Sequence, residues 1–120
     1  YFWVPLHLLM RALEAGAAVA SSLSTHALTV GAVGGLIIGM MTRTARGHTG
    51  RPLRANRSDI ACYLLILSAA VVRVFVPWVA PQEATVAVLG SAALWSTGFA
   101  TYAVTYWPVL TRPRVDGKPG

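Results

Sequence analysis

The chain has 120 residues, 55% of them hydrophobic and only 12% charged, with a formal net charge of +6. Soluble domains carry about a quarter charged residues, so this composition excludes an ordinary soluble domain. The bases gather where apolar segments end, which points the positive balance at anionic lipid headgroups and membrane orientation rather than at nucleic acid.

Four apolar segments run at about 3–20, 25–43, 59–80 and 84–107. They predict an all-α integral membrane helical bundle, with three clear transmembrane helices plus a shorter or truncated N-terminal one. The whole of 1–120 reads as a single membrane domain. The opening "YFWVPLHLLM" is already apolar, and no signal-peptide pattern precedes it. This fits the C-terminal part of a longer multispan protein, with a processed small subunit as the alternative. The first segment also holds Arg11 and Glu14, spaced to pair on one helix face. Such a pair must face protein or water, so the segment is either a span against the bundle or an interfacial helix.

The second segment takes Thr25 as a candidate N-cap before His26 and extends past Arg43 until Gly47 offers a left-handed cap. Gly31, Gly35 and Gly39 recur every fourth residue, with Gly34 beside them. That spacing leaves a helix with a bare face, suited to a neighbouring helix or to one face of a porphyrin. Arg43, Arg46, Arg51, Arg54 and Arg57 then follow with no acid among them. The third segment starts at Ser58 and Asp59 and ends near Pro77 and Pro81. Near its start lies Cys62, the only cysteine, which excludes an internal disulfide and reads as a buried, inert thiol. The fourth segment follows "PQE", ends at Pro108, and leads to a tail with Arg112, Arg114 and Lys118 against Asp116.

By the positive-inside rule the arginine loop and the C-terminus are cytoplasmic and Gln82 lies outside. Tyr106 and Trp107 are then expected at the cytoplasmic interface and Trp78 near the outer one.

Chemistry concentrates in few residues. There is no phosphate loop, dinucleotide fingerprint or cysteine metal cluster. His7 and His26 lie on consecutive apolar segments, where neutral imidazole is either a hydrogen-bonded packing group or a ligand for haem iron or copper. No close-spaced histidine pair encodes a site. His48, in "RGHTGR", reads as a loop residue capping the preceding helix, or as one that reaches a buried site if the loop folds back. His26 and His48 stand ~33 Å apart on a continuous helix, too far to share one metal. Arg73 lies ~21 Å into its helix. It can snorkel outward, pair with Glu14, or hold an acidic cofactor group such as a haem propionate.

"HALTVGAVGGLIIGMMTRTARGHTGRPL", "VVRVFVP" and "YWPVLTRPRVDGKPG" together resemble the C-terminal region of the NnrS family, from about His7 to Gly120. The resemblance implies a multispan protein of the bacterial inner membrane that contains haem and copper and is associated with nitric oxide stress and denitrification. It implies that this chain resembles the last third of about a dozen helices. The family's histidines would map onto His7, His26 and His48 as metal candidates. Arg73 joins His26 and His7 as a cofactor-binding candidate. The implied partners are membrane lipid, the remaining helices of the full-length protein or a partner membrane subunit, and nitric oxide as a small ligand. Two other functions remain open on the residues. One is an accessory packing subunit of a respiratory complex. The other is a transporter fragment in which Arg11, Glu14 and Arg73 line a charge path.

Overall fold

The computed structural model describes residues 2–13 and 18–117. Among them are α1 (Trp3–Leu13), α2 (Ala18–His26), a π-helical segment (Ala27–Val33), α3 (Gly34–His48), α4 (Arg57–Val79), a 3₁₀ turn (Pro81–Glu83) and α5 (Ala84–Leu110), with no strand. α2, the π segment and α3 form one unbroken rod, because His26, Val33 and Gly34 all keep right-handed helical dihedrals. The bundle is therefore all-α. Three of its rods, Ser22–His48, Arg57–Val79 and Pro81–Leu110, are long and apolar enough to cross a membrane. Leu36, Met40, Leu64, Leu89 and Val104 point outward from these rods, a surface suited to lipid rather than water.

Several boundaries differ from those expected, each for a local reason. Thr25 does not begin a helix, since the rod passes straight through it. The lower end of α3 lies at His48, one residue beyond Gly47, and the left-handed residue is Gly50 (φ 71°). The Arg51 N–H donates to the Arg46 carbonyl and the Gly50 N–H to the Gly47 carbonyl, the paired closure of a Schellman turn. α4 begins at Arg57 and is capped by Asn56, whose side chain accepts from the Asp59 N–H while the Asp59 carboxylate accepts from the Asn56 N–H. This reciprocal capping box satisfies two otherwise orphaned donors. α5 continues through Pro108 to Leu110, because a proline in the last turn only marks where the helix must stop.

The glycine face divides instead of forming one seam. A Cβ on Gly31 would lie 2.4 Å from the Trp3 indole, and one on Gly34 2.5 Å from Trp95. Gly35 and Gly39 face open space. The π segment contributes to this split, because an extra residue in a turn rotates the later part of the rod relative to the earlier part. The small-residue contact in the bundle is instead between α4 and α5. There Ala69, Ala87, Ser91 and Gly98 are buried, and Ser91 Oγ donates to the Ala69 carbonyl at 2.9 Å. In lipid, where hydrophobic drive between helices is weak, close backbone approach and such hydrogen bonds supply the adhesion. Cys62 is buried and free, as expected.

The tail folds back on the loop. Val115 N–H donates to the Thr49 carbonyl, and the Asp116 carboxylate sits against the Gly50 Cα, 2.7 Å from where a Cβ would be. Asp116 also holds both Arg114 donors and keeps that guanidinium charged to still higher pH. Gly50→Ala is expected to destabilise the protein by about 1–2 kcal/mol, from left-handed strain alone. Displacement of Asp116 adds to that. Thermal unfolding in detergent checks it, and an unchanged midpoint would show that the turn tolerates a side chain.

Candidate functional site

The ionisable residues gather at the two ends of the bundle. The first group lies toward the Pro81–Glu83 turn and contains the histidines expected to act. His26 ends α2 immediately before the π segment. Its Nδ1 lies 2.5 Å from the Ser22 carbonyl, one turn back, and its Nε2 lies 2.9 Å from Arg73 Nη2 on α4. A carbonyl only accepts, so Nδ1 carries the proton and Nε2 presents its lone pair to the guanidinium. This is how a metal-ligating histidine is commonly prepared, with the far nitrogen anchored to a backbone carbonyl. Thr29 Oγ1 also donates to a carbonyl four residues back, that of Thr25. Side-chain donation of this kind gives carbonyls other partners and accompanies the loosening of an α-helical ladder. The Gly34 N–H reaches the Thr29 carbonyl, five residues back.

His7 on α1 is anchored in the same way, with Nδ1 2.7 Å from the Ser24 carbonyl. The two imidazoles therefore grip carbonyls two residues apart on α2, about 200° around the helix. Each ring is thereby held through Nδ1, with its Nε2 turned away from the α2 backbone. His48 is exposed on the last turn of α3, beside Met41, Tyr102 and Leu110. The rod between His26 and His48 is continuous, so the loop does not carry His48 back to the other histidines. The expected capping role falls to the Gly50 turn and to Thr49 Oγ1, which donates to the Ala45 carbonyl. Among the described residues Arg73 meets a partner not considered from the sequence, His26. Glu14 lies outside the described residues, as do its expected pairings with Arg11 and Arg73.

The second group lies at the loop end, and sequence reasoning missed it. Asp59 is 1% exposed and is the hub. Its Oδ2 accepts from Arg46 Nη2 at 2.7 Å, from Arg46 Nε at 3.1 Å and from the Asn56 N–H. Its Oδ1 accepts from the Tyr106 hydroxyl at 2.7 Å. Arg46 Nε also donates to the Tyr106 oxygen, and Tyr106 stacks on Tyr102 with ring centroids 4.6 Å apart. Tyr106 lies at the loop end of the bundle and faces inward, because its hydroxyl is committed to a buried carboxylate. Trp107 and Trp78 do face outward. The available signal was the N-x-x-D capping pattern directly after an acid-free arginine run, which leaves Asp59 as the nearest countercharge.

The stretches "MTRTARGHTGRPL", "SDIACY" and "YWPVLTRPRVDG" therefore meet at one end of the bundle through Arg46, Asp59, Tyr106, Thr49, Gly50 and Asp116. A family model described as NnrS protein matches residues 1–114, and so takes in nearly all of this assembly. The chain belongs to the NnrS family. Comparison with curated proteins and with solved structures finds no match. Membership in NnrS, a membrane family, agrees with the three membrane-length rods. It makes a link to nitric oxide and to haem and copper the natural one to test in the residues.

Those residues fit a haem ligand at one position and fit copper poorly. His26 offers a fixed imidazole whose Nε2 lone pair is taken by the Arg73 guanidinium, so a metal would bind there only with Arg73 moved aside. Among the described residues no three of His, Cys, Asp and Glu come together to hold a metal ion, so a copper centre would draw further ligands from elsewhere.

Proposed function

We propose that this chain is part of a haem-containing membrane protein of the bacterial inner membrane that handles nitric oxide, by binding it, removing it or conferring tolerance to it. The observation that carries this reading is the His26–Arg73 pair. It is a histidine anchored through Nδ1 and an arginine bonded to its Nε2, both on helices of membrane length in an NnrS chain. His26 would hold the iron through Nε2. Arg73, released from that nitrogen, would hold a carboxylate of the same group with a fork of donors. Bound haem would supply an iron centre with affinity for nitric oxide. Nitric oxide is small, neutral and soluble in the bilayer, so a site among these helices is reachable without a polar channel. His7 is the second candidate ligand, held by the Ser24 carbonyl. Its partner ligand would come from a helix beyond those described.

Copper enters this reading only through the family, completed by other helices of the full-length protein or by a partner membrane subunit. The arginine-rich loop and the C-terminus would be cytoplasmic, since five arginines lie between 43 and 57 and no base lies between 81 and 83.

The test is a visible spectrum with a pyridine haemochrome assay and copper analysis on the full-length purified protein. A Soret band that His26→Ala reduces at least tenfold, with the protein still folded and membrane-inserted, is the expected result. A colourless wild-type protein overturns the reading and favours a transporter or an accessory packing subunit. Haem retained in full by His26→Ala removes that residue from the site.

A further inference from the structure

A cavity lies at the loop end, away from His26 and Arg73. It encloses about 200 Å³ between the last turns of α3, loop residues 53–55 and the first turns of α4. Arg43, Arg46 and Arg54 line it together with Asp59, Thr42, Tyr63 and Gly39. Asp59 cannot neutralise all three guanidiniums, because it is already spent on Arg46, Tyr106 and the Asn56 N–H. Thr42 and Tyr63 are likewise committed, Thr42 donating to the Ile38 and Gly39 carbonyls and Tyr63 meeting the Thr42 hydroxyl. What remains is a polar recess with two uncompensated cations, Arg43 and Arg54, both exposed and neither in an ion pair among the described residues.

The recess is open at Gly39, where a Cβ would meet nothing within 4 Å and a longer side chain would enter it. The recess sits where the apolar rod Ser22–His48 gives way to the arginine loop, the depth at which headgroups lie.

We propose that this recess binds a phosphate anion, with Arg43 and Arg54 as its principal donors. Guanidinium's planar fork matches phosphate oxygens in pairs, and basic pockets between membrane helices take anionic headgroups in this way. The phosphate can belong to an anionic lipid or be free in solution. The two sources share this chemistry, and the experiment separates them. The site does not depend on His26, so its test does not depend on haem.

The measurement is native mass spectrometry and thermal stabilisation of the full-length protein. One arm adds phosphatidylglycerol, a second adds phosphatidylcholine, and a third adds inorganic phosphate. Binding of phosphatidylglycerol over phosphatidylcholine identifies a lipid headgroup, and stabilisation by inorganic phosphate identifies a free anion. Each juxtamembrane arginine contributes about fivefold in affinity, so the double variant Arg43→Gln/Arg54→Gln is expected to weaken binding about 30-fold. Neither arginine holds the fold together, so the variant should remain folded. Gly39→Leu fills the recess while keeping every charge, and it too should abolish binding. Loss in the arginine variant with full binding in Gly39→Leu would mean diffuse attraction to the loop and overturn the proposal. No preference in any arm of the wild-type experiment would overturn it as well.

Discussion

Asp59→Ala is expected to destabilise the protein by about 3 kcal/mol, the low end of the cost of breaking a buried charge pair. The carboxylate is 1% exposed, and its removal strands three donors, from Arg46, Tyr106 and Asn56. Arg46 is the less buried partner, with 15% of its side chain exposed, and water reaching it keeps the loss from being larger. The same residue closes the capping box of α4, so part of the loss is that of a helix cap, about 1 kcal/mol. Tyr106→Phe should cost less, about 2 kcal/mol, because it removes the hydroxyl's bonds to Asp59 and from Arg46 Nε but leaves the ion pair that Arg46 and Asp59 make directly.

Removing all three polar partners together gives the discriminating measurement. Arg46→Met with Asp59→Leu and Tyr106→Phe should recover much of what Asp59→Ala loses, since apolar replacement of a buried pair is often close to neutral. Unfolding of the purified protein in mixed micelles reads all of these. A triple variant less stable than Asp59→Ala would mean that the network stabilises the native state by more than its desolvation cost.

Gly31→Ala should destabilise by about 1–2 kcal/mol, although alanine is the better helix former. The added methyl would sit 2.4 Å from Trp3 Cδ2 and 2.6 Å from Cγ, near the root of the indole, where a rotamer change gives little relief. Trp3 is itself held against Phe2 and Phe75, so α1 must shift bodily. Overpacking of this kind costs about 1–3 kcal/mol, and the gain in helix propensity returns up to about 1 kcal/mol. Two comparisons isolate the cause. Gly35→Ala on the same rod, with nothing near its Cβ, should be neutral or slightly stabilising. In a Trp3→Ala background, Gly31→Ala should change sign and stabilise, because only the propensity gain remains. If both glycines respond alike, the Trp3 contact is not what constrains Gly31.

The fold was largely legible because its cause is local. Uninterrupted apolar runs of membrane length, bounded by arginine, proline and polar turns, leave backbone groups no partner except their own helix. That argument locates the rods without reference to their neighbours. It also explains the boundary errors. Thr25 looked like a cap because it is a good capping residue, but nothing in the chain breaks the helix there. Gly47 and Gly50 were equally eligible by type, and the choice fell to Gly50, where the tail's Asp116 packs and Val115 pairs with Thr49.

The candidate site was legible only as an inventory. His7, His26 and Arg73 stand out because ionisable groups are rare in this chain, but their relations are not readable from spacing. His26 and Arg73 are 47 residues apart in sequence and 2.9 Å apart in space. Arg46 and Tyr106 are 60 apart and 2.9 Å apart. Likewise the four-residue glycine period promised one bare face, and a π segment with two tryptophans divided it.

By itself the sequence determined the all-helical membrane class, the number of long rods and the family, since composition, run length and contiguous motifs carry these. Tertiary structure alone decided which ionisable group meets which. It set His26 on Arg73, held His7 against the Ser24 carbonyl, kept His48 at the far end of the rod, and turned Tyr106 inward onto Asp59. The physical reason is that a buried charge or imidazole must find a partner within hydrogen-bonding reach. In a bundle of straight rods that partner comes from whichever helix packs alongside.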